Sequence, residues 1–158
     1  MSTTDILVIG SGVAGLSFAL KVSAFARVTL VTKKGCVDTA TNLAQGGIAA
    51  VLAPDDTVDD HIRDTLVSGD GLCHDDIVRM VVEGGAERVR ELVDFGVQFQ
   101  EGCQGEEFDL GMEGGHSARR VAHAHDLTGR EVERALLSRV NASHRIEVLE
   151  DHLAVDLL

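Results

Sequence analysis

The chain has 158 residues, 44% of them apolar and 25% charged. That is enough length and apolar material for one domain with a core of its own, and too much for a disordered chain. A formal net charge of −12 at pH 7 disfavours non-specific attachment to nucleic acid or to anionic membranes, while leaving a local anion site open.

In chain order, Ile6-Leu7-Val8-Ile9 is a continuous apolar run that reads as a strand buried on both faces, hence part of a parallel sheet. Val13 to Ala26 carries small and apolar residues at helical spacing, and Val28 to Thr32 reads as a second strand. Together they form one βαβ unit. From Gly35 to Pro54 no period is visible, as expected of a functional loop running into a buried segment. Asp55 to Ser68 predicts a helix on Val58, Ile62 and Leu66, and Asp75 to Phe95 predicts another that Gly84-Gly85 would bend or split. Gly96 is its expected stop. Val97 to His116 suggests a hairpin turning near Gly105. Thr128 and Glu131 match a capping box opening a further helix, and 146–149 and 152–158 read as two late strands. No repeat, low-complexity segment or linker divides residues 1–158.

Cys36, Cys73 and Cys103 are odd in number and widely spaced, with no CxxC, so a disulfide framework is not expected and a reducing compartment is. The N-terminus has no basic segment, and the apolar run after it is too short for a signal peptide or membrane span. The expectation is a cytoplasmic protein with no membrane element.

Gly10-Ser11-Gly12-Val13-Ala14-Gly15 is a GxGxxG set between a strand and a helix. The first glycine permits the tight turn, the second lets backbone approach a pyrophosphate, and the third lets helix and strand pack closely. Free N–H groups and the helix dipole then favour the phosphates. The alternative is a glycine turn that serves packing alone. The acidic residue that usually ends the second strand and holds a ribose is missing: Thr32, Lys33 and Lys34 stand there. That argues against NAD. Lys33 suits a phosphate or the adenosine end of a dinucleotide, or is simply solvated.

The segment Thr41-Asn42-Leu43-Ala44-Gln45-Gly46-Gly47-Ile48-Ala49-Ala50 resembles the second flavin-binding element of the succinate dehydrogenase, fumarate reductase and L-aspartate oxidase superfamily. The resemblance implies FAD as cofactor, with Ala40 to Gly47 along the flavin and its ribityl chain. Gly46 and Gly47 would let backbone approach the ring, and Gln45 would offer an amide. A small-residue packing strand is the alternative. The membrane-bound members attach FAD through a histidine four residues before the alanine of AQGG. Ala40 occupies that position here, which implies non-covalent FAD, and it also departs from the small hydroxyl residue usual in L-aspartate oxidases.

Glu113-Gly114-Gly115-His116-Ser117-Ala118-Arg119-Arg120 and His123-Ala124-His125-Asp126-Leu127-Thr128-Gly129-Arg130-Glu131-Val132 resemble consecutive segments of the L-aspartate oxidase family. Met112 departs from an arginine common before the glutamate. The likeness runs from Asp5 to Leu158. It implies an α/β fold: a Rossmann-like FAD-binding domain with a parallel sheet and flanking helices, incomplete because its capping domain is absent. It also implies oxidation of L-aspartate to iminoaspartate, with oxygen or fumarate as electron acceptor and a functional link to quinolinate synthase in NAD biosynthesis. Glu113 and His116 would orient substrate, Glu113 by meeting the α-ammonium that succinate lacks. A solvated loop glutamate and a structural histidine are the alternatives. No catalytic residue is expected within residues 1–158; the base and the carboxylate-binding arginines would lie beyond them. His123 and His125 would share a strand face, but no metal site is expected. One of Arg119 and Arg120 is expected to meet a phosphate or carboxylate, the other solvent. The rival readings are a soluble fumarate reductase or succinate dehydrogenase type of flavoprotein, and a non-catalytic dinucleotide-binding module.

Overall fold

The computed structural model describes residues 3–125 and 127–156, so Asp126 and the Leu157-Leu158 end of the second late strand lie outside the described residues. Two compact units are present. One comprises Met1–Ala44, Phe95–Val97 and Gly129–Leu158, the other Gln45–Asp94 and Gln98–Thr128.

The first unit is built on three parallel strands, β1 (Ile6–Ile9), β2 (Val28–Val31) and β6 (Ile146–Leu149), in the order β1-β2-β6. Ile6 lies opposite Val28, and Val28 opposite Ile146. Helix α1 (Val13–Val22) makes the crossover and buries Leu16, Ala19 and Val22, one stripe at a spacing of three. Helix α5 (Thr128–Ala142) leads into β6 and buries Val132, Ala135, Leu136 and Val140. Leu16, Leu30 and Leu136 are fully buried, each contributing about 1.5–3 kcal/mol by leaving water.

The α/β reading with a parallel sheet holds, with local corrections. Among the described residues β1 pairs with β2 alone, as an edge strand; Val8 is buried while Leu7 and Ile9 are exposed, so β2 rather than β1 is the buried strand. Helix α1 ends at Val22, where the Ser23 hydroxyl takes up the Leu20 carbonyl. Residues 152–156 form no strand. Their apolar alternation finds no neighbouring strand among the described residues.

The second unit carries β3 (Ile48–Ala49), α3 (Val58–Ser68), α4 (Asp75–Asp94), a 3₁₀ turn (Cys103–Gly105), β4 (Leu110–Gly111) and β5 (Val121–Ala122). The short strands pair antiparallel in the order β3-β5-β4. Thr57 caps α3 by accepting the Asp60 N–H at 3.1 Å. Helix α4 runs unbroken for 20 residues through Gly84-Gly85. Two glycines cost it about 2 kcal/mol, less than the packing of the face that buries Val82 and Val89 supplies. Gly96 does end the segment, at φ +99°. The expected hairpin is displaced: β4 pairs with β5, and residues 112–120 form the loop between them.

Thr128 Oγ1 accepts the Ala124 N–H at 3.0 Å, and both Glu131 oxygens bind Arg134 at 2.7 Å. One further expectation fails. His123 and His125 share no strand face, because β5 ends at Ala122 and His125 sits in a turn at φ +49°.

Candidate functional site

In the first unit the glycine turn is shaped by close contacts. Gly10 has φ +104° and donates its N–H to Val31 O at 2.8 Å. A Cβ on Gly15 would stand 2.0 Å from Gly10 O, so the helix can lie against the turn only with glycine there. Gly12 is the N-cap of α1 and supplies no side-chain cap, and no acidic residue occupies the first turn. Val13 and Ala14 are exposed there. A positively polarised helix start with no carboxylate beside it and no cap from its own N-cap residue fits a diphosphate. The Ser11 side chain points the other way. It is buried, and its hydroxyl donates to Thr32 Oγ1 and Cys36 O, both at 3.1 Å, tying the turn to the end of β2. Lys33 is exposed beyond β2, and Lys34 pairs with Asp38 at 3.0 Å.

Helix α2 (Ala40–Leu43) follows in the same unit, capped by Thr39, whose Oγ1 accepts the Asn42 N–H at 3.1 Å. Thr41 Oγ1 accepts the Val13 N–H at 3.0 Å, joining α2 to the glycine turn. Ala40, Leu43 and Ala44 are exposed, and Thr41 and Asn42 half-buried. A Cβ on Gly129 would stand 1.9 Å from Thr41 O, and the Gly129 N–H bonds Ala44 O at 3.1 Å. The start of α5 is therefore seated on α2.

One turn further along α5, Glu133 is 1% exposed and neither carboxylate oxygen has a hydrogen-bond partner. Burial pushes its carboxyl up to about 7, although the Thr39 hydroxyl, near it but out of bonding geometry, favours the ionised form. Burial, followed by the Glu150 carboxylate, likewise pushes the Cys36 thiol up to about 11. All three cysteines are free thiols.

The second unit holds Gln45, Gly46 and Gly47 at one side of a cavity of about 390 Å³, also lined by Gly111, Met112, Glu113, Val121, His123 and His125. Gly47 has a packing reason to be glycine: a Cβ there would fall 2.4 Å from both Ala122 O and Val121 Cγ1, where β5 passes. Gly46 faces Glu113, whose Oε1 would be 3.4 Å from a Cβ on it.

His116 is not among the cavity residues. Its Nδ1 lies 3.3 Å from Arg120 Nη1, and its ring meets His61 edge-on at 5.7 Å. Arg119 is the exposed arginine, reaching Leu110 O at 3.4 Å. Arg120 is wholly buried. Its Nε and Nη2 bind Asp56 at 2.8 and 2.7 Å, and its Nη1 binds Asp64 at 2.7 Å. The carboxylates it meets thus belong to its own unit.

Sequence reasoning missed Asp56, Asp64, Ser117, Gly129 as a docking residue, and Glu133. Charged and small residues at these positions look solvated in one dimension; only spacing on α3, with 61, 64 and 68 on one stripe, carried any hint. Among the described residues no group of three or more His, Cys, Asp or Glu could hold a metal, and no helix is long and apolar enough to cross a membrane.

The FAD binding domain family matches residues 5–158. A chloroplastic L-aspartate oxidase of Nicotiana tabacum is 49% identical over 98% of this chain and 24% of its own length. L-aspartate oxidase 1 of Ralstonia nicotianae is 43% identical over 98% of this chain and 29% of its own. The chain thus spans about a quarter of the length of these relatives. Among solved structures, E. coli quinol fumarate reductase FrdA superposes with a TM-score of 0.88 at 27% identity, covering 97% of this chain and 26% of that one. With a glycine turn opening a helix that has no acidic residue in its first turn, and a family match along almost its whole length, the chain belongs to the FAD binding domain family, and FAD is its cofactor.

Proposed function

We propose that this chain serves as the FAD-binding part of an L-aspartate oxidase, which converts L-aspartate to iminoaspartate with non-covalent FAD. The observation that carries the reading is the Glu113 carboxylate standing over Gly46 in the cavity beside Gln45 and Gly47. A fixed carboxylate there gives a substrate bearing an ammonium group a charge-assisted contact that a plain dicarboxylate cannot make. His116 orients substrate indirectly, by holding the loop that bears Glu113. Gly10 to Gly15 hold the diphosphate, Ser11 by backbone only. Lys33 reaches the adenosine end, and Ala40 to Gly47 line the flavin and its ribityl chain. Bound FAD supplies the acceptor for the two electrons removed from the substrate. Oxygen or fumarate reoxidises it, and the imine is passed to quinolinate synthase in the cytoplasm. The likeness of the fold to a fumarate reductase supports the second reading, a soluble reductase acting on fumarate.

The test is purification of the full-length protein. Acid precipitation should leave all flavin in the supernatant, since Ala40 offers no imidazole for attachment. Oxygen uptake should follow addition of L-aspartate and not of succinate. Flavin retained on the precipitated polypeptide would overturn the non-covalent reading, and succinate oxidation without aspartate oxidation would favour the reductase.

A further inference from the structure

The loop between β4 and β5, residues 112–120, carries Glu113 and is fastened along one face of α3. His61, Asp64 and Ser68 fall on a single stripe of that helix, three and four residues apart. Each meets the loop. A Cβ on Gly115, which has φ +89°, would stand 2.6 Å from Ser68 Oγ, so the loop backbone lies directly against the helix there. The His116 ring meets His61 edge-on. Asp64 Oδ2 accepts both the N–H and the hydroxyl of Ser117 at 2.7 Å, and also Arg120 Nη1 at 2.7 Å. Arg120 closes the base of the loop, buried against Asp56 and Asp64, while its own carbonyl accepts the Ala50 N–H at 2.9 Å.

One carboxylate oxygen thus receives three donors from two points of the loop. The Ser117 hydroxyl and amide, and then Arg120, hold the Asp64 carboxyl well below the ordinary carboxylate range, so it stays ionised across physiological pH. A nine-residue connection would otherwise sample many conformations, and ordering it costs about 1–2 kcal/mol per residue. Charge-assisted bonds to a helix, roughly twice as strong as neutral hydrogen bonds, offset that cost.

We infer that Asp64 is a positioning residue for substrate selection: by clamping Ser117 and Arg120 to α3 it fixes the β4–β5 loop so that the Glu113 carboxylate stands over Gly46. The inference rests on the Glu113 reading above. It assigns a role to a residue on a different element that does not line the cavity.

The test is a double-mutant cycle in the full-length enzyme, reading KM and kcat for L-aspartate, turnover of fumarate, and flavin content. Glu113→Gln should lower kcat/KM for aspartate about tenfold or more through KM, with fumarate turnover little changed. Asp64→Ala should reproduce that loss at unchanged flavin content, and the double variant should be no worse than either single one. Amide hydrogen exchange over residues 113–119 should accelerate in Asp64→Ala. Asp64→Asn, which keeps an acceptor for Ser117 and leaves Arg120 balanced by Asp56, should restore aspartate KM to within about threefold of the parent. If Asp64→Ala does not fold, Ser117→Ala removes one of the three donors and should show the same effect in smaller measure.

A silent Asp64→Ala, or losses that multiply in the double variant, overturns the inference and leaves the Glu113 reading standing. A silent Glu113→Gln overturns that reading and the inference with it.

Discussion

Glu133 shows how a single side chain can carry a pH dependence. Its two oxygens are buried without partners, and burial raises its carboxyl from 4.5 to about 7. Between those values the folded chain holds a proton that the unfolded chain releases. Stability therefore falls as pH rises from 4.5 through 7, by up to about 3 kcal/mol in full. Glu133→Gln keeps the shape and removes the charge. The full-length variant should melt at a higher temperature than the parent at pH 8, and at nearly the same temperature at pH 5. Equal shifts at both pH values would show that burial of the charge is not the cause. Asp64 is the opposite case: it is held ionised by its donors, so it contributes stability at neutral pH that is lost only in strong acid.

Among the elements, two helices treat glycine in opposite ways. Gly84 lies within α4, and a Cβ there would meet nothing within 4 Å. Gly84→Ala should therefore stabilise the helix by about 1 kcal/mol, read as a raised melting temperature. Gly129 lies in the first turn of α5, where a Cβ would collide with Thr41 O and approach Ala44 Cβ to 2.8 Å. Gly129→Ala gains the same propensity and loses more by overpacking, about 1–3 kcal/mol. Because Thr41 also holds the Val13 N–H, displacing α2 loosens the glycine turn. Flavin content should fall in Gly129→Ala and remain unchanged in Gly84→Ala. A fully flavinated Gly129→Ala would show that α2 does not depend on α5.

For the whole molecule, cofactor binding and folding are linked. FAD that binds only the folded chain stabilises it by about 2.7 kcal/mol at 100 times its Kd. In the full-length protein, added FAD should raise the melting temperature in a concentration-dependent way. Gly12→Val should abolish that rise while leaving the apoprotein folded. The first carbon of the new side chain already stands 3.4 Å from Thr41 Oγ1, and its branches occupy the space that backbone needs to approach a pyrophosphate. An undiminished rise would place the diphosphate elsewhere.

What the sequence by itself determined was the local and periodic part: the βαβ unit, the glycine turn, the two long helices and the AQGG segment. Each rests on residues adjacent in the chain or repeating at a fixed period, so strand, helix and tight turn are written locally. The two-residue strands β3, β4 and β5 have no period to read, and only pairing with one another makes them strands. Arg120 illustrates the rest. Beside Arg119 it looks the same in sequence, and nothing there says which of the two is buried. Burial of its charge requires Asp56 and Asp64, 64 and 56 residues away, and only the folded chain brings them within 2.7 Å. Glu133 and Gly129 follow the same logic. Their environments are made by segments distant in sequence, so tertiary structure alone decided that one is a buried acid and the other a docking point.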